Sequence, residues 1–334
     1  MGYGENMSDI PRIGTGLDKS VLKDVISENY INFAPEYMSF LGEWITGTYK
    51  AFNDADKYTI LVYLFKKNVT FYYDNFIKIS YEAFYRNDHI DIEKINIVEI
   101  AKALGIPKET TRRKVSELEK IGVIKKKGKH LIIDKTAFKL VEPINTMKNL
   151  TNVFYLIYKI CKKKKIINHD IEKENITNAM KANLTYTWYH YYKFIFTWLF
   201  NWKKFFNNDT EKFIIWCIPM LHRANKMKSD SGTHLPDLSS WRIDIEKIQT
   251  QGINTMSLSD ITGIPRPTVT RKLKSLIYHN HLTMDKQKLI HPGNQGSYKG
   301  EMIRIHDNAL NEFSSFTTKI FNQIILKNFF EVSK

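Results

Sequence analysis

The sequence predicts a mainly α-helical chain with small β-hairpins, built from two tandem copies of one unit. Three observations predict it. Gly105-Ile-Pro-Lys-Glu-Thr-Thr-Arg-Arg-Lys-Val-Ser-Glu-Leu118 returns as Gly263-Ile-Pro-Arg-Pro-Thr-Val-Thr-Arg-Lys-Leu-Lys-Ser-Leu276, at an offset of 158 residues. Upstream, Asp54–Ile60 resembles Asp209–Ile215 at an offset of 155, and Ile90–Ile95 is repeated unchanged as Ile243–Ile248 at an offset of 153. Three landmarks in one order and nearly one spacing make a duplication more economical than coincidence.

Each copy carries the same predicted parts. After a loose polar arm, Asp18 caps a short helix bearing Val21, Leu22, Val25 and Ile26; Gly14-Thr15-Gly16 lacks the spacing and lysine of a phosphate loop and reads as a turn. An amphipathic helix over about 36–52 has Phe40, Leu41, Trp44 and Ile45 on one face, and 185–206 is its counterpart. Second helices start near 56 and 210. Short helices, Val98–Leu104 and Ser257–Thr262, run into the glycine turns. Beyond the turn, Thr111, Val115 and Leu118, like Val269, Leu273 and Leu276, recur at i, i+4 and i+7, so one face is buried and the basic side chains lie on the other.

A hairpin follows in each copy. In the first, Gly122–Ile124 and Leu131–Ile133 flank a basic tip, Lys125 to His130; in the second, Leu282–Met284 and Met302–Ile305 flank a longer one, Asp285 to Glu301. Matching Ala137 to Ala309 makes the second tip about 14 residues longer. Helices over about 143–164 and 307–330 close the units. The division expected is an arm and helix over 1–35, a first domain over 36–165, a linker over 166–184 and a second domain over 185–334.

Length and charge narrow the class. At 334 residues, 43% hydrophobic and 25% charged, the chain suffices for two domains with cores of their own. Its net charge of +15 points to a polyanionic partner, nucleic acid before acidic lipid. Cys161 and Cys217 sit in apolar helical stretches at non-equivalent positions, which argues against a disulfide framework and for a reducing cytoplasm, close to the nucleoid. The polar Met1–Pro11 lacks the apolar core of a signal peptide. The most apolar run, Phe194–Phe200, is too short to span a bilayer.

A glycine turn followed by a basic amphipathic helix is the form of a recognition helix in a helix-turn-helix. The stretch Ile97–Ile124, with the Lys/Gly hairpin behind it, resembles the winged helix-turn-helix of bacterial transcription factors of the MarR, GntR, IclR and Crp types. About 45 residues per half carry the resemblance. It implies that Lys108, Thr110, Arg112 and Arg113 in one copy, and Arg266, Thr268, Thr270 and Arg271 in the other, meet a DNA major groove; Lys114 and Lys274 on the same helices are expected to bind DNA as well. It likewise implies that wing lysines, Lys125, Lys126, Lys127 and Lys129, then Lys286, Lys288 and Lys299, meet the backbone or minor groove. Thr111 stands where the pattern calls for an apolar residue, and Ser259 and Thr262 weaken the second pre-turn helix. The outer helices resemble MarR-type dimerisation helices fused into one chain.

Charge placement favours DNA over a protein partner for these modules. Between Pro107 and His130 nine Lys/Arg face three acidic residues, and between Pro265 and Lys288 six face one. Arg113 and Arg271 suit bidentate contact with guanine, whereas wing lysines add affinity without sequence information. Glu109 stands opposite Pro267 and Arg112 opposite Thr270, so the two helices should read different half-sites, about 10 base pairs apart.

The aromatic stretch Tyr186–Trp202, with Tyr191, Ile195, Trp198 and Trp202 on one stripe, is either core between the halves or a pocket for a small-molecule effector. His279, His281, Asp285 and His291 read as wing residues rather than a metal site. No nucleophile elbow, phosphate loop or zincin signature suggests an enzyme, and no cofactor is implied. The expected function is a sequence-specific, duplex-binding transcriptional regulator acting as an intramolecular pseudo-dimer, or as a homodimer. The alternatives are a replication initiator with tandem winged helices and a winged-helix interaction scaffold.

Overall fold

A computed structural model describes residue 14 and residues 16–128, 130–137, 142–230, 237–293 and 300–332. It is mainly helical, and its elements fall into two successive sets. The first comprises α1 (Lys19–Glu28), α2 (Ala34–Lys50), α3 (Ala55–Asp74), α4 (Tyr81–Arg86), β1 (His89–Ile92), α5 (Ile97–Leu104), α6 (Lys108–Lys120), β2 (Ile124–Lys127), β3 (His130–Asp134) and α7 (Ile144–Lys163). The second comprises α8 (Lys173–Ala182), α9 (Leu184–Phe205), α10 (Thr210–Asp230), α11 (Leu238–Asp244), α12 (Thr255–Thr262), α13 (Arg266–Tyr278), β4 (Leu282–Met284), β5 (Ile290–Pro292) and α14 (Glu301–Val332). Among the described residues, each of the seven α-helices named in the first set has its counterpart seven named helices later.

The duplication is more extensive than its sequence landmarks. The expected linker over 166–184 contains α8, ten residues long like α1 and offset from it by 154. Leu22 and Ile26 of α1 correspond to Ile176 and Met180 of α8, and all four are buried. Polar Asn175, Thr177 and Asn178 around these anchors mask the helix from a hydrophobicity reading.

One landmark is misleading. Ile90–Ile92 lies in β1, but the identical tripeptide Ile243–Ile245 ends α11 and enters a 3₁₀ turn (Ile245–Lys247). The partner strand decides the difference. β1 is held antiparallel to β3, Ile90 opposite Ile133, whereas in the second copy Ile253 bridges to Ile290 of β5. Both small sheets therefore place the returning hairpin strand in the middle, and the second keeps only a single bridge of its outer strand.

The second hairpin also differs from its expectation. Met302–Ile305 belongs to α14, and β4 pairs instead with β5, Leu282 opposite Pro292. The Asp285 carboxylate accepts from the Leu289 amide and pairs with His291, which closes a tight turn over 285–289. Lys299 lies outside the described residues, as does Lys129 of the first wing.

The two sets pack by exchange around one continuous hydrophobic core. α2 lies along α10 and reaches α12, while α9 lies along α3; α1 packs mainly on α14, and α8 on α7. α2 and α9 run parallel, touching through equivalent residues: Phe40 meets Phe194 and Trp44 meets Trp198, ring centroids 6.5 and 6.0 Å apart. Contact between equivalent positions marks an approximate two-fold axis running between these helices. The aromatic stripe of α9 is thus spent on core packing. The free space beside Trp198, Trp202, Phe213 and Trp216 is about 50 Å³, against roughly 150 Å³ for a cavity that takes benzene. A larger, open groove of about 500 Å³ lies between Tyr72, Tyr73 and Phe76 of the α3 end and Tyr186 of α9.

Cys161 and Cys217 are buried free thiols, and burial pushes the Cys161 thiol up to about 12. Among the described residues no helix is long and apolar enough to cross a membrane, and no group of three His, Cys, Asp or Glu side chains is placed to hold a metal ion. The core does hold a histidine. His306 lies against Tyr30 and Trp241, its ring 2.9 Å from the Tyr30 hydroxyl and 3.4 Å from the Arg242 guanidinium. Burial first, then the charge of Arg242, lowers its pKa to about 3.

That shift has a sign for stability. The unfolded chain binds this proton below about pH 6.5 and the folded chain does not until about 3, so stability falls as pH drops through that interval. Urea unfolding should show a loss of roughly 1.5 kcal/mol from His306 between pH 6.5 and 5. In His306→Gln that portion of the slope should vanish; an unchanged slope contradicts the assignment.

Candidate nucleic-acid interface

Both basic helices are set up by the same local geometry. Asn96 and Asn254 cap α5 and α12 through their side chains. Each helix ends on a left-handed glycine, Gly105 at φ 61° and Gly263 at φ 76°, whose amides bond back to Ala101 and Ser259. Only glycine takes that conformation without a steric cost, which is why the turn is written the same way twice. Pro107 and Pro265 then start α6 and α13 with nearly the same dihedrals, φ −55°, ψ 139° and φ −54°, ψ 135°.

The polar residues that looked out of place are satisfied locally. The Thr111 hydroxyl donates to the Pro107 carbonyl, the Thr262 hydroxyl to Leu258 O, and the Ser259 hydroxyl to Ile264 O. Thr111 and Val269 are both fully buried at equivalent positions. A threonine whose hydroxyl is consumed by the preceding turn packs there as a valine would.

Each basic helix is tethered in the same way. Asp54 and Asp209 receive backbone amides at the starts of α3 and α10, and each pairs through its second carboxylate oxygen with a lysine from α6 or α13, Lys114 or Lys272. Both lysines are largely enclosed, with side-chain exposures of 13% and 16%. This corrects the expectation that Lys114 meets DNA: its ammonium points inward and fixes the helix. Lys272 had no expected role. The signal was present, since both the Asp and the Lys recur in the two copies.

Lys114→Ala should therefore cost about 1–2 kcal/mol of stability in urea unfolding, as a half-buried carboxylate loses its partner. Its effect on the salt dependence of duplex binding should be nil. A neutral stability change with a shallower salt slope would return Lys114 to the interface.

The remaining expected residues divide by copy. In α6, Lys108, Arg112 and Arg113 are exposed and Thr110 is half-buried. Arg112 is paired with Glu109 at 2.9 Å, and Arg113 approaches Glu117 at 3.9 Å. Glu117 also receives Lys57 at 2.7 Å, a bond that holds its carboxyl below the usual range. In the first wing Lys125, Lys126 and Lys127 are exposed, but Lys125 donates to Asp134 at 2.8 Å and, with the Thr136 amide, lowers that carboxyl to about 2. In α13, Arg266, Thr270, Arg271 and Lys274 are exposed and Thr268 half-buried, and the Thr270 hydroxyl turns back to the Arg266 carbonyl. Among the described residues none of Arg266, Arg271 and Lys274 has a carboxylate partner, and Lys286 and Lys288 project from the second wing.

No protein-family model, curated protein or solved structure matches this chain. The placement of the two helices therefore carries the argument. A Cβ on Gly105 would lie 3.0 Å from the Asn208 side chain at the end of α9, and one on Gly263 would lie 3.2 Å from Lys50 at the end of α2. Each turn thus lies beside the α9–α10 or the α2–α3 junction of the other half, and the cap residue of that junction, Asp209 or Asp54, in turn holds α13 or α6. That reciprocity brings both basic helices to one end of the parallel α2/α9 pair.

Proposed function

We propose that the two units are winged helix-turn-helix modules, that their exchange packing makes an intramolecular pseudo-dimer, and that the chain binds duplex DNA sequence-specifically to regulate transcription. One observation carries this reading. Two exposed cationic helices each follow a left-handed glycine turn, are each tethered by an Asp–Lys pair, and each start beside the end of the other half's long scaffold helix. In such an arrangement the α6 and α13 faces enter successive major-groove segments on one side of a duplex, and the wings lie against its backbone. The net charge of +15 supplies the long-range attraction.

Fluorescence anisotropy with a duplex of about three helical turns tests the reading. With six or more phosphates neutralised, affinity should fall by about a thousandfold or more between 50 and 200 mM salt. Affinity indifferent to salt, or equal affinity for a single strand, would contradict it.

A further inference from the structure

The two basic helices share a backbone but not a charge pattern. α6 carries five Lys/Arg against three carboxylates, Glu109, Glu117 and Glu119; α13 carries four against none. At the positions equivalent to those carboxylates α13 has Pro267, Ser275 and Ile277. The conformation follows the sequence. Arg112 and Arg113 already lie along Glu109 and Glu117, and Lys125 in the first wing lies on Asp134. In the second wing the sole carboxylate of the turn, Asp285, is occupied by His291, and Lys286 and Lys288 remain exposed.

We infer that the two modules divide the work: α13, through Arg266 and Arg271, selects the base sequence and leads the docking, while the first module follows as a phosphate-holding arm whose arginines are restrained by their own carboxylates. The inference rests on the duplex-binding reading above. Its physical basis is competition. For Arg112 or Arg113 to reach a base edge it must leave a carboxylate on its own helix and bring that negative charge towards the phosphates. Arg271 has no such competitor and keeps its planar fork free for guanine. Lys274 adds charge to the same face where the first copy has the neutral Ser116.

The test compares a duplex selected from random sequence with an unrelated duplex, using the full chain and circular dichroism to establish that each variant is folded. Arg271→Ala should reduce the ratio of the two affinities at least tenfold, and Arg113→Ala less than threefold. Arg271→Lys keeps the charge and should lose the discrimination while leaving the salt slope intact, which a merely structural role would not produce. Glu109→Gln frees Arg112 and should tighten binding to both duplexes several-fold. Equal losses of discrimination for Arg113→Ala and Arg271→Ala, or weaker binding by Glu109→Gln, overturn the division of labour while the DNA-binding reading stands. Failure of the unsubstituted chain to bind either duplex overturns both.

Discussion

Lys203→Met should cost about 3 kcal/mol of folding stability, the largest single-site loss expected outside the hydrophobic core. Lys203 closes α9 and is 2% exposed, yet it is a cation. Its ammonium donates to Asp56 Oδ1 and to the Leu104 carbonyl, each at 3.2 Å. Methionine fills nearly the same volume, so the loss isolates the polar contacts from the packing. It leaves the last carbonyl of α5 without its donor and Asp56 without its partner, and Asp56, being partly exposed, recovers some of that loss from water. The effect should be local as well as global. Amide exchange over 101–108 should accelerate, because this bond ties the end of α9 from one half to the glycine turn of the other. A loss below about 1 kcal/mol with unchanged exchange would mean that the halves are not joined through this contact.

Replacing Lys125, Lys126 and Lys127 together by alanine should weaken binding to every duplex by a similar factor, roughly fiftyfold at 0.1 M salt, and lower the salt slope by about two. The three lysines occupy one exposed strand, but Lys125 is engaged by Asp134, so two phosphate contacts rather than three are expected to disappear. Stability should change by no more than about 0.5 kcal/mol, since no buried group is uncovered. A selective loss on the preferred duplex would instead place the first wing among the base-reading elements.

Much of this was legible in the sequence because it is written in short-range chemistry. The glycine turns at 105 and 263, the Asp18 cap and the i, i+4, i+7 apolar positions of α6 and α13 each specify structure within a turn or two, and all appear where expected. What escaped notice depends on distant partners. The tripeptide Ile-Asp-Ile is a strand at 90–92 and a helix end at 243–245, because only the first copy has β3 in position to pair with it along its length. α8 falls in the segment expected to be a linker, since its two apolar anchors mean little until α7 and α14 are there to bury them. Lys114 looks like every other cation of α6 until Asp54, sixty residues away, is seen beneath it. The exchange of helices between halves was likewise invisible, although the in-register aromatic pairs of α2 and α9 are its trace.

The most direct measurement is a hydroxyl-radical footprint of the full chain on a duplex recovered by selection from random sequence. The account predicts two protected patches on one face of the helix, their centres about 10 base pairs apart and unequal in strength, the stronger lost in Arg271→Ala. One protected patch, or two on opposite faces, would mean that α6 and α13 do not share a duplex.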